Sequence, residues 1–196
     1  MVGNRPFDFS LTGKKFNPEV RVGIVCPGRD GLALSRYLTA LHNTKMPDSK
    51  DEYLLAYPGF AQAFGLPLDL PKQGDRGWME VSEPSANVSP SSGATEVARN
   101  LTAAVRALRA SSNPDVVLIY VPTRWKAWER FESESETFDL HNFVKAYCVQ
   151  NGATSQLSRS HISAKSFGGW RFLFTSRRCE HLGFLKLWSG TVRMSV

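Results

Sequence analysis

Val116–Val121, VVLIYV, is an unbroken apolar run rich in β-branched and aromatic residues. That is the composition of a strand buried on both faces. Asn113-Pro114 closes the segment before it. From Thr95 to about Ala110, apolar residues recur at helical spacing. Val97, Leu101, Ala104, Val105 and Leu108 fall on one face, with Arg99, Arg106 and Arg109 largely off it. Thr95 is the expected N-cap, and the Ser- and Pro-rich stretch 82–93 before it reads as loop. Further back, RVGIVCP (21–27) is a second apolar run, closed by proline, and Leu32, Leu34, Leu38 and Leu41 predict a helix near 31–43. Residues 52–66 read as a helical segment broken at Pro58 and Gly59, 72–77 as a polar turn, and Trp78–Val81 as a short strand. Buried strands alternating with helices predict an α/β fold, a Rossmann-like and mostly parallel sheet flanked by helices.

Downstream, residues 125–136 are charged and aromatic. Glu132, Glu134 and Glu136 alternate with Ser and Thr, which reads as a solvated loop; three flexible glutamates without a nearby His are a poor metal set. Then comes DLHNFVKAYCVQNGATSQ (139–156). Asp139 is a good N-cap, and Leu140, Phe143, Val144, Tyr147 and Cys148 form a stripe that should pack on the sheet. Asn151-Gly152 should stop the helix, and 153–157 should return as a strand that places Gln156 near the sheet edge. His141 and Lys145 stand four apart and share a different helix flank. Lys145 can supply charge to a phosphate monoester, Gln156 a directional donor, and His141 a donor or a stacking ring. A His and a Lys at this spacing also suit an ordinary solvated flank, and a strand Gln an ordinary structural role.

The 196 residues carry a net charge of +6 and are 42% hydrophobic, enough for one sizeable domain. Residues 157–196 hold seven of the 24 basic residues and one of the 18 acidic ones, so the remainder is neutral and the excess lies in this basic tail. No apolar run reaches the roughly 20 residues of a membrane span. The N-terminus lacks an apolar signal core, so a cytoplasmic protein is expected. Cys26, Cys148 and Cys179 are far apart and odd in number, which disfavours a disulfide framework. Cys26 and Cys148 lie in apolar segments and read as core residues.

Other chemistries find little support. Gly28 and Gly31 follow the first strand, but GRDG is neither a dinucleotide fingerprint nor a Walker loop. A Rossmann-like enzyme using a nucleotide cofactor is nevertheless the alternative reading. His42, His141, His161 and His181 have no nucleophile-elbow context, and Cys179 with His181 is two ligands short of a zinc site.

VRVGIVCP, EYLLAYPGFAQAFGLPL, DVVLIYVP and FDLHNFVKAYCVQNGATSQ together resemble the MID region of Argonaute proteins, particularly the short prokaryotic ones, over roughly residues 5–156. The resemblance implies a MID-like α/β domain over 21–156 that grips the 5′-phosphate of a guide strand, RNA or DNA. It implies that His141, Lys145 and Gln156 form the grip, with Mg²⁺ assisting. It further implies no catalysis by this chain, a role in prokaryotic defence, and a partner carrying an APAZ domain with a SIR2 or TIR effector. Residues 1–20, with Phe7–Leu11, are then expected to pack on a PIWI half. The family's second downstream Lys has no counterpart in recognisable context, although Lys165 and Lys186 are present. Beyond Gln156 the likeness ends. A shifted reading frame in place of a PIWI domain would explain the basic 157–196, expected to be irregular. So would a natural base-stacking tail bearing Trp170, Phe172, Phe174 and Trp188. A non-functional truncated product also stays open.

Overall fold

RVGIVCP and VVLIYV become neighbouring parallel strands in a computed structural model of the chain, which describes residues 19–46, 56–132 and 137–159. β1 (Val20–Pro27) leads through a 3₁₀ turn into α1 (Gly31–Ala40). There follow α2 (Phe60–Phe64), β2 (Leu68–Asp69), β3 (Trp78–Val81), α3 (Pro90–Ser111) and β4 (Val116–Val121). A second 3₁₀ turn precedes α4 (Lys126–Glu129), then β5 (Arg130–Glu132), β6 (Thr137–Asp139), α5 (Leu140–Gln150) and β7 (Ser155–Arg159).

The main sheet runs β2-β1-β4-β7, with β3 on the same edge of β1 as β2, and every pairing in it is parallel. Alternation along the strands sorts side chains into two cores. Val25, Val117, Ile119, Val121 and Leu157 meet Val97, Leu101, Val105 and Leu108 of α3 and Leu140, Val144 and Cys148 of α5. Ile24, Cys26, Leu118 and Tyr120 meet Leu34 and Leu38 of α1 on the opposite face. The result is an α/β sandwich compatible with a Rossmann-like fold. Truncating a fully buried anchor such as Leu101 or Leu108 to Ala should cost about 2–5 kcal/mol.

Three local expectations change. The long helix begins at Pro90, not Thr95: Ser89 Oγ caps it by accepting from Ser92 N–H at 3.2 Å. Proline needs no N–H partner in a first turn, so a Ser/Pro stretch starts this helix where it would break one elsewhere. Thr95 instead donates back to the Ser91 carbonyl at 2.9 Å. The 125–136 connector is ordered where it is described. Trp125 is buried, and β5 and β6 form an antiparallel hairpin held by stacked Phe131 and Phe138 rings, 5.4 Å apart. Glu132 belongs to that hairpin, while Glu134 and Glu136 lie outside the described residues. Phe143, expected in the apolar stripe, is 44% exposed. The segments 1–18 and 160–196, with Phe7–Leu11, His161, Cys179, His181 and the tail aromatics, lie outside the described residues. β7 runs on to Arg159, past the limit of the family likeness at Gln156.

Candidate functional site at the β7 edge away from β4

Asp139 starts α5 as expected, its Oδ1 accepting from Asn142 N–H at 3.0 Å. Its Oδ2 takes the Arg130 guanidinium at 2.7 Å across the hairpin. Burial pushes this carboxyl up, but the Arg130 bond and the Asn142 N–H outweigh it and hold the group below the usual carboxylate range. At the other end, Gly152 adopts φ +63°, a left-handed conformation that L side chains resist. Ala153 N–H returns to the Cys148 carbonyl at 2.8 Å, and Arg109 Nη1 fixes the Gly152 carbonyl at 2.7 Å. A helix tied down this firmly delivers β7 in one register, with Val117 beside Ser155 and Leu118 beside Gln156.

That register fixes the directions of the polar groups. Val117 N–H donates to the Thr154 carbonyl, so 154, 156 and 158 turn their backbone groups toward β4. The carbonyls of Ser155 and Leu157 therefore point to the outer edge. The Lys145 ammonium donates to the Ser155 carbonyl, and Gln156 Nε2 donates to the Leu157 carbonyl at 3.0 Å. Gln156 itself shares the face of Leu118, the α1 side, whereas Lys145 descends from α5 on the other side. The two side chains leave from opposite faces and converge on carbonyls two residues apart, about 6.6 Å of strand rise.

His141 and Lys145 share one flank of α5, both half-buried, with His141 Nδ1 3.4 Å from Asn142 Oδ1. The Gln156 side chain is not on that flank. It is 4% exposed, since strand alternation turns it inward at the second position of β7. The three expected residues thus do not face one open spot: two meet at the strand edge through its backbone, and His141 stands one helical turn away from Lys145. Among the described residues, Gln156 Oε1 and Ser158 Oγ are buried without a hydrogen-bond partner. The Ser155 hydroxyl, facing Cys148, also lacks one of ordinary geometry. Burial raises the Cys148 thiol, while Ser155 and the Lys145 charge draw it partly back. The polar run Thr154, Ser155, Gln156 and Ser158, broken only by Leu157, is the sequence signal for this polar strand, of which phosphate chemistry points to Gln156 alone.

The place where a Rossmann-like sheet ordinarily holds its ligand is built differently. β1 connects to one side of the sheet and β4 to the other, so the switch point lies between their carboxyl ends. Arg124, just after β4, spans it to Asp30, just after β1, with Nη1–Oδ1 at 3.0 Å and Nη2–Oδ2 at 2.5 Å. Arg124 Nε also reaches Glu83 Oε1 at 2.6 Å, and Trp125 Nε1 donates to the same oxygen at 2.8 Å. A Cβ on Gly28 would sit 2.8 Å from Glu80 Oε2, and one on Gly31 2.8 Å from Gln73 Nε2. The glycines are therefore roofed by a carboxylate and its amide partner, a poor cradle for a pyrophosphate. Asp30 and Arg124 are 94 residues apart, and nothing local in the sequence pairs them.

Among the described residues, no three His, Cys, Asp or Glu side chains gather as a metal site, and no helix is long and apolar enough to cross a membrane. No protein-family model matches the chain, and no curated protein matches it either.

Proposed function

We propose that the α5–β7 edge binds the 5′-phosphorylated end of a single nucleic-acid strand, RNA or DNA, as a non-catalytic guide-binding module of the Argonaute MID type. The observation that carries this is the convergence of the Lys145 ammonium and the Gln156 amide at one stretch of strand edge. The residue types suit a strand end, with an ammonium for charge, an amide for direction, and His141 one turn away for a base or a phosphate oxygen. The family likeness over 5–156 selects the same three residues. A phosphate arriving here competes with the Ser155 carbonyl for the ammonium, and the stronger, charge-assisted bond wins. Mg²⁺ would then be held chiefly by phosphate oxygens and water, as that ion prefers. An APAZ-domain partner with a SIR2 or TIR effector, within a cytoplasmic defence system, belongs to the same reading.

The test compares 5′-phosphorylated with 5′-hydroxyl oligonucleotides of one sequence, on wild type and Lys145→Ala. The wild type should prefer the phosphorylated strand, and the variant should lose most of that preference, a contact worth about 1.5–3 kcal/mol. Equal affinity of the wild type for both strands defeats the proposal. A cooperative thermal melt of the same sample separates a folded binder from a non-functional product.

A further inference from the structure

We infer a second nucleic-acid surface: the seam between α3 and α5, on the side away from the sheet, is a track for the sugar–phosphate backbone of a single strand. It stands apart from the strand-end site and does not depend on that reading.

α3 carries three arginines and one acid, Glu96, and α5 carries no acid at all. Arg99 and Arg106 are seven residues apart, so they point within about 20° of each other and stand about 10.5 Å apart along the axis. Both are exposed. Arg21, Arg29, Arg124 and Arg130 all pair with carboxylates. Among the described residues, no such pair involves Arg99 or Arg106. Arg106 Nε instead lies 3.4 Å from the Tyr147 hydroxyl, which sets this arginine at the seam with α5.

The α5 side of the seam is aromatic. Phe143 lies one turn before Tyr147 and is 44% exposed. Its ring meets Phe138 at 5.7 Å, and Phe138 stacks on Phe131. Asp139, beside Phe138, is already paired with Arg130; Glu132, beside Phe131, is exposed at the far end of the row. Cations with no carboxylate partner among the described residues, beside the exposed Phe143 ring and the half-buried rings that continue it, supply the two ingredients of sequence-tolerant single-strand binding: charge for the backbone and a π-face for the bases. An acidic polypeptide would use the arginines and leave the ring row without a role.

The experiment measures affinity for labelled single strands against salt, with 5′-hydroxyl and 5′-phosphoryl ends, using the full chain. Arg99→Glu with Arg106→Glu should weaken binding of both strands equally, by roughly tenfold or more, and should flatten the salt slope by about 1.4. Phe143→Ala should weaken both strands with the slope unchanged. The milder Arg99→Ala with Arg106→Ala, checked by an unaltered melt, guards against misfolding, and Arg99→Lys with Arg106→Lys should keep the slope. Wild-type affinity and slope in both the glutamate and the alanine pair would overturn the inference. Equal, arginine-dependent binding of polyglutamate would overturn it in favour of an acidic protein partner. Lys145→Ala should alter only the difference between the two strand ends, so either proposal can fail alone.

Discussion

Lys145 and Gln156 reach one edge of β7 from opposite faces of the sheet, and each covers an outward carbonyl, Ser155 for the lysine and Leu157 for the amide. Gln156 does so while leaving its Oε1 buried with no partner among the described residues. A buried orphan acceptor costs about 1–3 kcal/mol, and the bond its Nε2 makes contributes about 1. Gln156→Leu removes both terms, so the melting temperature should move by only a few degrees, upward if at all. Under the strand-end proposal the same variant should bind phosphorylated strands more weakly. A calorimetric melt and a binding isotherm on one preparation check both. A large drop in melting temperature would mean that Gln156 is held for packing.

Asp139 caps α5 and pairs with Arg130. Asp139→Ala should cost about 1 kcal/mol by loss of the cap. The pH sign follows from the lowered folded value. The contribution is complete above the ordinary carboxyl value of 3.8 and is lost as pH falls through the folded value. Acid titrations of stability should therefore converge for wild type and variant at low pH. Parallel curves would show that the carboxylate charge contributes nothing.

Gly93 inverts a familiar rule. Replacing a helical glycine by alanine usually stabilises by up to about 1 kcal/mol. Here the new Cβ would lie 2.4 Å from Trp128 Nε1 and 2.5 Å from Cδ1. The Trp128 ring, partly buried against the main core, cannot step aside cheaply. Gly93→Ala should therefore destabilise by about 1–3 kcal/mol, and adding Trp128→Leu should recover part of the loss. A denaturant melt of the two variants decides it.

What is legible in the chain, and what is not, follows one physical line. Apolar runs and helical stripes depend on local spacing, so β1, β4, α1 and α5 can be read from residues such as Ile24, Leu118, Leu34 and Val144. The start of α3 escapes local reading because Ser89 and Pro90 look like a loop until one asks which N–H groups a first turn leaves over. Phe131 and Phe138 make a hairpin of a stretch whose glutamates suggest only solvent. Gln156 can be placed on a strand after α5, but its face depends on a register set by Thr154 and Val117, which no local pattern encodes. The closure of the switch point by Asp30 and Arg124 is tertiary altogether.

The two described cysteines bear on whether this is a binder or a thiol enzyme. Cys26 and Cys148 are both buried and form no disulfide among the described residues. Burial pushes Cys26 up to about 12 from an ordinary 9.0, and burial likewise raises Cys148. A thiol raised this far holds almost no thiolate at pH 8, far less than an ordinary thiol, and the thiolate is the nucleophile. Both should resist alkylation in the native chain and react promptly in denaturant, as site-resolved mass spectrometry would record. Rapid native modification of Cys148, with loss of function, would reopen nucleophilic catalysis beneath the α5–β7 turn. Resistance, together with unchanged strand binding after exposure to the reagent, excludes these thiols as the groups that meet the ligand.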